Sequence, residues 1–236
     1  LFLSGDRAEA RRAFETAVKI APDLPKPRYT LGLVAESDMR DREAIEHFRA
    51  AVRLDANYLE APASLADALR RSGQVEASLS HYLKVLALNP AVSQARFGYA
   101  IGLVRLGRFR EALDSLKDAN AMYPDQPGFA HALARVLAAA PDDTVRDGAA
   151  AVRLTETLLE SNRSWTLLET RAMAAAEVGK FEDAARWQQL AIQEAGNSAP
   201  EATAHMREIL GGYRRGAPCR IPWRADDPIF APRPAG

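Results

Sequence analysis

Four histidines and a single cysteine are the residues of this 236-residue chain whose chemistry best suits metal binding or nucleophilic catalysis. His47 and His81 are separated by an interval that recurs throughout the sequence, and no cysteine or carboxylate is convincingly placed to complete a metal site with them. We therefore expect both to be repeated, outward-facing surface residues. The sequence also lacks the motifs of zinc proteases, phosphate-binding loops and serine hydrolases.

Cys219 lies in a proline-rich C-terminal stretch, next to Arg220. A neighbouring cation can lower the pKa of a thiol and increase its reactivity. A nucleophile also needs an oriented base and an oxyanion site, and this stretch offers neither. A single cysteine further excludes an intramolecular disulfide and a cysteine-based metal site. We therefore predict that the chain is not an enzyme and has no catalytic residue, cofactor or metal.

The charge balance bears on the class of partner. Lysine and arginine total 31, as do aspartate and glutamate, so the formal net charge is zero. Dedicated nucleic-acid-binding proteins carry an excess of cations to displace counterions, so nucleic acid is not an expected partner. With 47% hydrophobic residues the chain is too apolar to be disordered, yet no run of roughly 18 apolar residues is present to span a bilayer.

The first residues, Leu1-Phe2-Leu3-Ser4-Gly5, do not form a signal peptide, which needs a basic region and a longer apolar stretch. They resemble the interior of a structural unit, so we expect an upstream part, with any address signal, to be missing from the chain. The compartment stays open between the bacterial cytoplasm and the periplasm. The bacterial origin is an association drawn from abundant alanine and arginine.

A period of about 34 residues is the strongest pattern in the sequence. The intervals between Gly5, Gly73, Gly107 and Gly179 are two periods, one period, and two periods lengthened by a short insertion. Small residues recur five positions after the glycine and again seven later, so they share one helical face and admit a close neighbour. Glycine permits the left-handed turn between two helices, and proline ends the second. Each unit is therefore predicted to be a helix–turn–helix hairpin.

This pattern resembles the tetratricopeptide repeat, a helical hairpin of about 34 residues. The matching residues of the second and third full units are Leu65, Ala66, Gly73, Ser78, Tyr82, Val85 and Pro90, and Tyr99, Ala100, Gly107, Ala112, Leu116, Ala119 and Pro124. The first full unit departs from the pattern, with Met39 in place of the glycine and Ala56 in place of the proline. The resemblance implies an all-α fold, a right-handed α-solenoid of stacked repeats with a capping helix and a tail.

The period also predicts the organisation of the chain. Residues 1–24 are expected to hold the second helix of a truncated repeat, and residues 198–215 a C-terminal capping helix. Five repeats lie between them, at 25–58, 59–92, 93–126, 127–164 (irregular) and 165–197. Residues 216–236 form a proline-rich, extended tail. This tail either lies back on the repeats through Ile221 and Trp223 or is ordered only by a partner.

In this family the first helix of each unit lines a concave binding groove. Projected onto this sequence, the resemblance implies a groove with apolar and cationic positions: Tyr29, Leu33, Asp67, Arg70, Arg71, Phe97, Ile101, Arg105, His131 and Arg135. Arginine and aromatic residues concentrate binding energy at interfaces. Two interpretations of the arginines stay open. They bind an acidic or carboxylate-bearing peptide, or they pair with Asp67, Glu60 and neighbouring acids of the stack.

Two functions fit this sequence. The first is a non-catalytic scaffold or adaptor that binds a protein or extended peptide in its groove, or docks within a larger complex. The second is the C-terminal arm of a longer enzyme or cytochrome-like chain, with catalysis upstream. The mass of the natural polypeptide distinguishes them.

Overall fold

The computed structural model describes residues 7–231. They form twelve α-helices and one short 3-10 turn and include no β-strand, so the predicted all-α class is confirmed. The described residues divide into two compact units, one comprising residues 7–107 together with 225–231, the other Arg108–Arg224. Gly5 and the last two prolines of the predicted tail lie outside the described residues.

The first unit contains six α-helices, and residues of the tail complete it with the 3-10 turn. The helices are α1 Arg7–Ile20, α2 Pro25–Ser37, α3 Asp41–Leu54, α4 Glu60–Arg71, α5 Val75–Leu88 and α6 Ser93–Arg105; the turn is Pro228–Phe230. Consecutive helices pack against each other along the chain. Their shared core includes Phe48, Leu65 and Leu69, all fully or almost fully buried.

The second unit contains the other six helices. They are α7 Phe109–Met122, α8 Pro127–Ala139, α9 Gly148–Ser161, α10 Trp165–Glu177, α11 Phe181–Ala195 and α12 Pro200–Arg214. Proline begins α8 and α12, where its missing N–H is not needed. Helix α12 packs on α11, and Met206 and Tyr213 of α12 are buried there.

Close helix approach depends on glycine at two positions of the first unit. A Cβ added at Gly32 would lie 2.4 Å from the Phe48 ring, and one added at Gly98 would lie 2.4 Å from the Tyr82 ring. Phe48 and Tyr82 are one period apart and therefore occupy equivalent positions in successive repeats. Each aromatic ring therefore fills the space that the absent side chain leaves.

The turns inside the repeats have the predicted left-handed backbone. Gly73, Gly107 and Gly179 have φ angles of 81°, 74° and 77°. Met39, which replaces glycine in the first full repeat, has a φ of 59°, and its side chain is exposed. The repeat therefore imposes the glycine conformation on a residue that adopts it unfavourably.

The irregular repeat owes its extra length to residues 140–147, between α8 and α9. Asp147 caps α9, where its side chain accepts a hydrogen bond of 2.9 Å from the N–H of Ala150. Arg146 donates to the Ala140 carbonyl at 2.8 Å and to Glu177 of α10 at 2.9 Å. These contacts fasten the longer connection to its own unit.

Candidate functional site

Two of the predicted groove residues lie on α2. The Tyr29 ring packs against Phe48, with centroids 5.7 Å apart, and edge-on against Tyr58 at 5.3 Å. Its hydroxyl lies 3.4 Å from Ser64 Oγ. Leu33 is half-buried against the same core. Both side chains keep partial exposure, so this part of α2 offers an apolar and aromatic surface.

A hydrogen-bond network joins Asp67 and Arg70 of α4 through a tyrosine of α5. Arg70 Nε donates to Tyr82 Oη at 3.0 Å, and Tyr82 Oη donates to Asp67 Oδ1 at 2.5 Å. Burial, reinforced by the Asp67 charge, raises the pKa of Tyr82 far above its usual value, so this hydroxyl stays protonated. Arg70 is only 6% exposed, and its Nη1 donates to the carbonyl of Ile229 in the tail at 2.6 Å.

Arg71, the next residue, has a different role. Its Nη2 lies 2.6 Å from Glu36 of α2 and its Nε 3.1 Å from Asp41 of α3. Burial raises the pKa of Glu36 in spite of the neighbouring guanidinium. Arg71 thus ties three helices together, which is the intramolecular pairing that the sequence left open.

The three predicted positions on α6 differ in exposure. Ile101 is fully buried, so its prediction as a groove residue that receives apolar side chains is wrong; it packs in the core. Phe97 is half-buried and Arg105 is exposed. Arg105 Nη1 donates to the carbonyl of Ala225 at 2.6 Å, and its guanidinium lies over the Phe230 ring, 5.0 Å from the centroid.

In the second unit, Arg135 of α8 is the centre of a buried cluster. Its Nη2 lies 2.5 Å from Glu169 Oε2 of α10, and its Nη1 donates to Thr170 Oγ1 at 3.2 Å. Its Nε donates to the carbonyl of Pro222, and its guanidinium lies over the Trp223 ring, 5.5 Å from the centroid. Because the Arg135–Glu169 ion pair is buried, each remaining N–H group of the guanidinium needs an acceptor, and the Pro222 carbonyl of the tail is one of them.

His131 lies one turn before Arg135 on α8. Its Nε2 is 2.9 Å from Thr170 Oγ1. Burial, with a smaller contribution from the Arg135 charge, lowers the pKa of His131 to about 4. The imidazole is therefore neutral near pH 7 and acts as a hydrogen-bonding group, without a charge for a partner.

The tail segment 217–231 packs on the helices, which is one of the two arrangements left open by the sequence. Trp223 contacts the repeats as expected, with its ring against the Arg135 guanidinium. The Ile221 side chain is 53% exposed and contributes little to the packing of the tail. Phe230, which sequence reasoning missed, is 9% exposed. Its position in a proline-rich stretch behind the last helix was the available signal, since an isolated aromatic residue there needs a surface to cover it.

Cys219 belongs to this segment and packs next to Tyr213 and Phe181. Burial raises the pKa of its thiol, and its Sγ lies 3.4 Å from the carbonyl of Ile221. The neighbouring Arg220 instead reaches Glu177, at 2.6 Å. These surroundings disfavour the thiolate, which is the nucleophilic form.

His47 and His81 are half-buried, so the prediction that they are surface residues is only partly right. Burial lowers the pKa of each. Within residues 7–231, no three histidine, cysteine or acidic side chains are grouped closely enough to hold a metal ion.

A separate cavity of about 770 Å³ lies along α7, α8 and α9 of the second unit. Leu133, Leu137, Leu154 and Leu158 supply apolar walls, and Lys117 also borders it. The sequence pattern did not predict it, because a repeat period indicates where the helices lie and not how much space is left between them. From Arg7 to Ala231, no helix combines the length and apolar character needed to cross a bilayer.

Two curated relatives resemble parts of the chain. Superkiller protein 3 of Saccharomyces cerevisiae is 29% identical over 111 residues, which is 47% of this chain and 8% of the relative. The peroxisomal targeting signal receptor of Kluyveromyces lactis is 29% identical over 99 residues, or 42% of this chain and 18% of the relative. The chain thus spans less than a fifth of either protein.

The helical arrangement has solved counterparts. YrrB, described as a TPR protein with an unusual peptide-binding site, matches with a TM-score of 0.66 at 15% identity. The match covers 84% of this chain and 98% of YrrB, and at this identity it shows a shared fold, the α-solenoid. The family model for the tetratricopeptide repeat matches residues 3–58 and 64–127, about half of the sequence. The chain therefore belongs to the tetratricopeptide repeat family.

Proposed function

We propose that this chain is a protein-interaction scaffold that binds an extended segment of a protein partner on the first helices of its repeats. Repeats of this family form interaction scaffolds in general, through extended concave surfaces. One observation carries the finer proposal. Arg70, Arg105 and Arg135 each donate to a main-chain carbonyl of the tail segment 217–231. This chemistry suits peptide binding, and YrrB provides a precedent of similar fold.

The proposed binding residues have distinct roles. Guanidinium groups donate charge-assisted hydrogen bonds to carbonyl or carboxylate oxygens of the partner. Tyr29, Leu33 and Phe97 offer half-buried apolar surface for its side chains. Asp67 holds Tyr82, which in turn positions Arg70. Ile101 and Arg71 are left out of this surface, because the first is core and the second is bound by two carboxylates.

Replacing Arg105 by Glu tests this proposal directly. Arg105 is exposed and its contacts are with the tail, so the variant should keep the helical circular dichroism of the wild type. We expect it to recover at least tenfold less partner when the immobilised full chain is used for affinity capture and the bound proteins are quantified by mass spectrometry. The carboxylate would repel the carbonyl oxygens that the guanidinium attracts.

Arg53→Glu is the matched control. Arg53 is an exposed arginine in the same compact unit as Arg105, but it lies on α3, which is the second helix of its repeat. It should capture as much partner as the wild type. Equal loss in both variants would indicate a general charge effect, and no loss in Arg105→Glu would contradict the proposed surface.

A second candidate is a repeat arm within a longer polypeptide whose catalytic part lies elsewhere. The length of the relatives favours it, since the chain corresponds to 8% and 18% of theirs. Intact mass measurement of the endogenous protein decides: a mass near 25.8 kDa would rule this candidate out.

A further inference from the structure

The tail binds the second unit through main-chain and ring contacts at one arginine. Arg135 donates to the Pro222 carbonyl, and the adjacent Trp223 ring lies against the same guanidinium. A planar guanidinium can serve both, because its edge carries the N–H groups and its face stacks on aromatic rings. Arg220 adds an ion pair with Glu177, at 2.6 Å.

The tail binds the first unit by the same means. Arg105 donates to the Ala225 carbonyl and lies over the Phe230 ring, while Arg70 donates to the Ile229 carbonyl. Asp227 stabilises the turn that presents these groups, since its side chain accepts from the N–H of Ile229 at 3.0 Å. Each unit thus holds an aromatic ring and at least one carbonyl of the segment.

These contacts are not specific to the tail. Every peptide has main-chain carbonyls, and an aromatic residue near one of them is a common feature of extended segments. The tail has the advantage of being covalently attached, which gives it an effective concentration on the order of millimolar for a short connection. Its prolines at 218, 222 and 228 also reduce the conformational entropy lost on docking.

We propose that segment 217–231 is an internal ligand that occupies the peptide-binding arginines, and that a partner binds by displacing it. The partner is an extended, aromatic-containing peptide segment that offers its carbonyls to Arg105 and Arg70, or to Arg135, and its ring to the guanidinium face. This inference rests on the proposed function and adds a mode of regulation to it. The apparent affinity for the partner falls as the fraction of molecules with a docked tail rises, because only molecules with an undocked tail can bind it.

A competition measurement with the full chain tests the proposal. The probe is a fluorescently labelled peptide with the sequence of residues 220–231, RIPWRADDPIFA. We expect it to bind the full-length Trp223→Ala/Phe230→Ala variant at least tenfold more tightly than the wild type, because the variant tail no longer competes through its rings. A peptide with both aromatic residues replaced by alanine should bind neither protein. Fluorescence anisotropy gives both dissociation constants.

Ile221→Ala is the matched control in the protein, since this exposed tail side chain makes no comparable contact. Its affinity for the probe should equal that of the wild type. The single variants Trp223→Ala and Phe230→Ala are measured as well, so the result does not depend on the folding of the double variant. Equal probe affinity in the wild type and all aromatic variants, or no binding to any of them, overturns the internal-ligand proposal.

The two proposals fail in different ways. If Arg105→Glu loses partner capture while the probe does not discriminate between wild type and aromatic variants, the scaffold function stands and the internal ligand is wrong. If the probe behaves as expected while Arg105→Glu captures partner normally, the tail is a ligand of these arginines and the proposed partner surface is wrong.

Discussion

Arginine is the residue on which the proposed binding chemistry depends. Arg135 illustrates this, because a single guanidinium contacts a carboxylate, a hydroxyl, a main-chain carbonyl and an indole ring. A lysine at this position would offer a point charge without the planar face or the fork of donors. The buried pair with Glu169 therefore suits an arginine at this position and a tail segment that completes its hydrogen bonds.

His131 leads to a prediction about pH. Because its pKa is about 4 in the folded chain and near 6.5 when unfolded, the unfolded state binds more protons between these values. Stability from this residue is complete above pH 6.5 and is lost as the pH falls toward 4. Between pH 7.5 and 5.0 the loss should be about 2 kcal/mol. Urea unfolding of the wild type and His131→Gln at both pH values measures it.

His131→Gln should lose about 2 kcal/mol less than the wild type over this interval. His47 and His81 also have lowered pKa values and remain in both proteins, so the comparison cancels their contribution. An identical pH dependence in the two proteins would show that His131 is not held neutral by burial.

Sequence reasoning identified Arg70, Arg105 and Arg135 as candidate binding residues but failed for Ile101. Projecting a sequence onto a helix distinguishes the groove face from the core face only to within about one residue. Ile101 lies at the boundary between the two faces, and its side chain is buried in the core. The acid partners of Arg71 lie on two preceding helices, which a period alone does not pair. The positions of side chains around a repeat are thus predictable, whereas their polar partners depend on the packed structure.

At the scale of helices and turns, the repeat controls backbone conformation as well as packing. Gly73, Gly107 and Gly179 show the left-handed conformation expected from the sequence. Met39 shows that the hairpin retains this conformation when glycine is lost. The period predicts where such turns occur because the helix lengths and the turn are fixed together.

Met39→Gly should stabilise the chain by about 0.5–1 kcal/mol, as measured by urea unfolding. A side chain in the left-handed region costs roughly 1–2 kcal/mol, and part of the gain is offset by the greater entropy of glycine when unfolded. The Met39 side chain is 67% exposed, so little packing is lost. Met39→Ala keeps the Cβ and serves as the control. Equal unfolding free energies for the two variants in urea would contradict this explanation.

At the scale of the whole molecule, the long-range contacts of the tail are the feature that sequence reasoning could not specify. Arg70 and Ile229 are 159 positions apart, and Arg105 and Ala225 are 120 apart. The composition of the tail predicted an extended segment and left open whether it docks. No repeat period relates such positions, because the tail is not a copy of the hairpin.

Cys219 gives the most direct measurement of the central claim, which is that arginines of the repeats hold the tail in place. As the single thiol of the chain, it reports on the docked segment without labelling. Its reaction with a disulfide reagent at pH 8 should be at least tenfold slower in the folded chain than in guanidinium chloride, because burial disfavours the thiolate. Trp223→Ala should accelerate the native reaction severalfold, and Ile221→Ala should not. A wild-type thiol that reacts as fast in the folded as in the unfolded chain would contradict the docked tail.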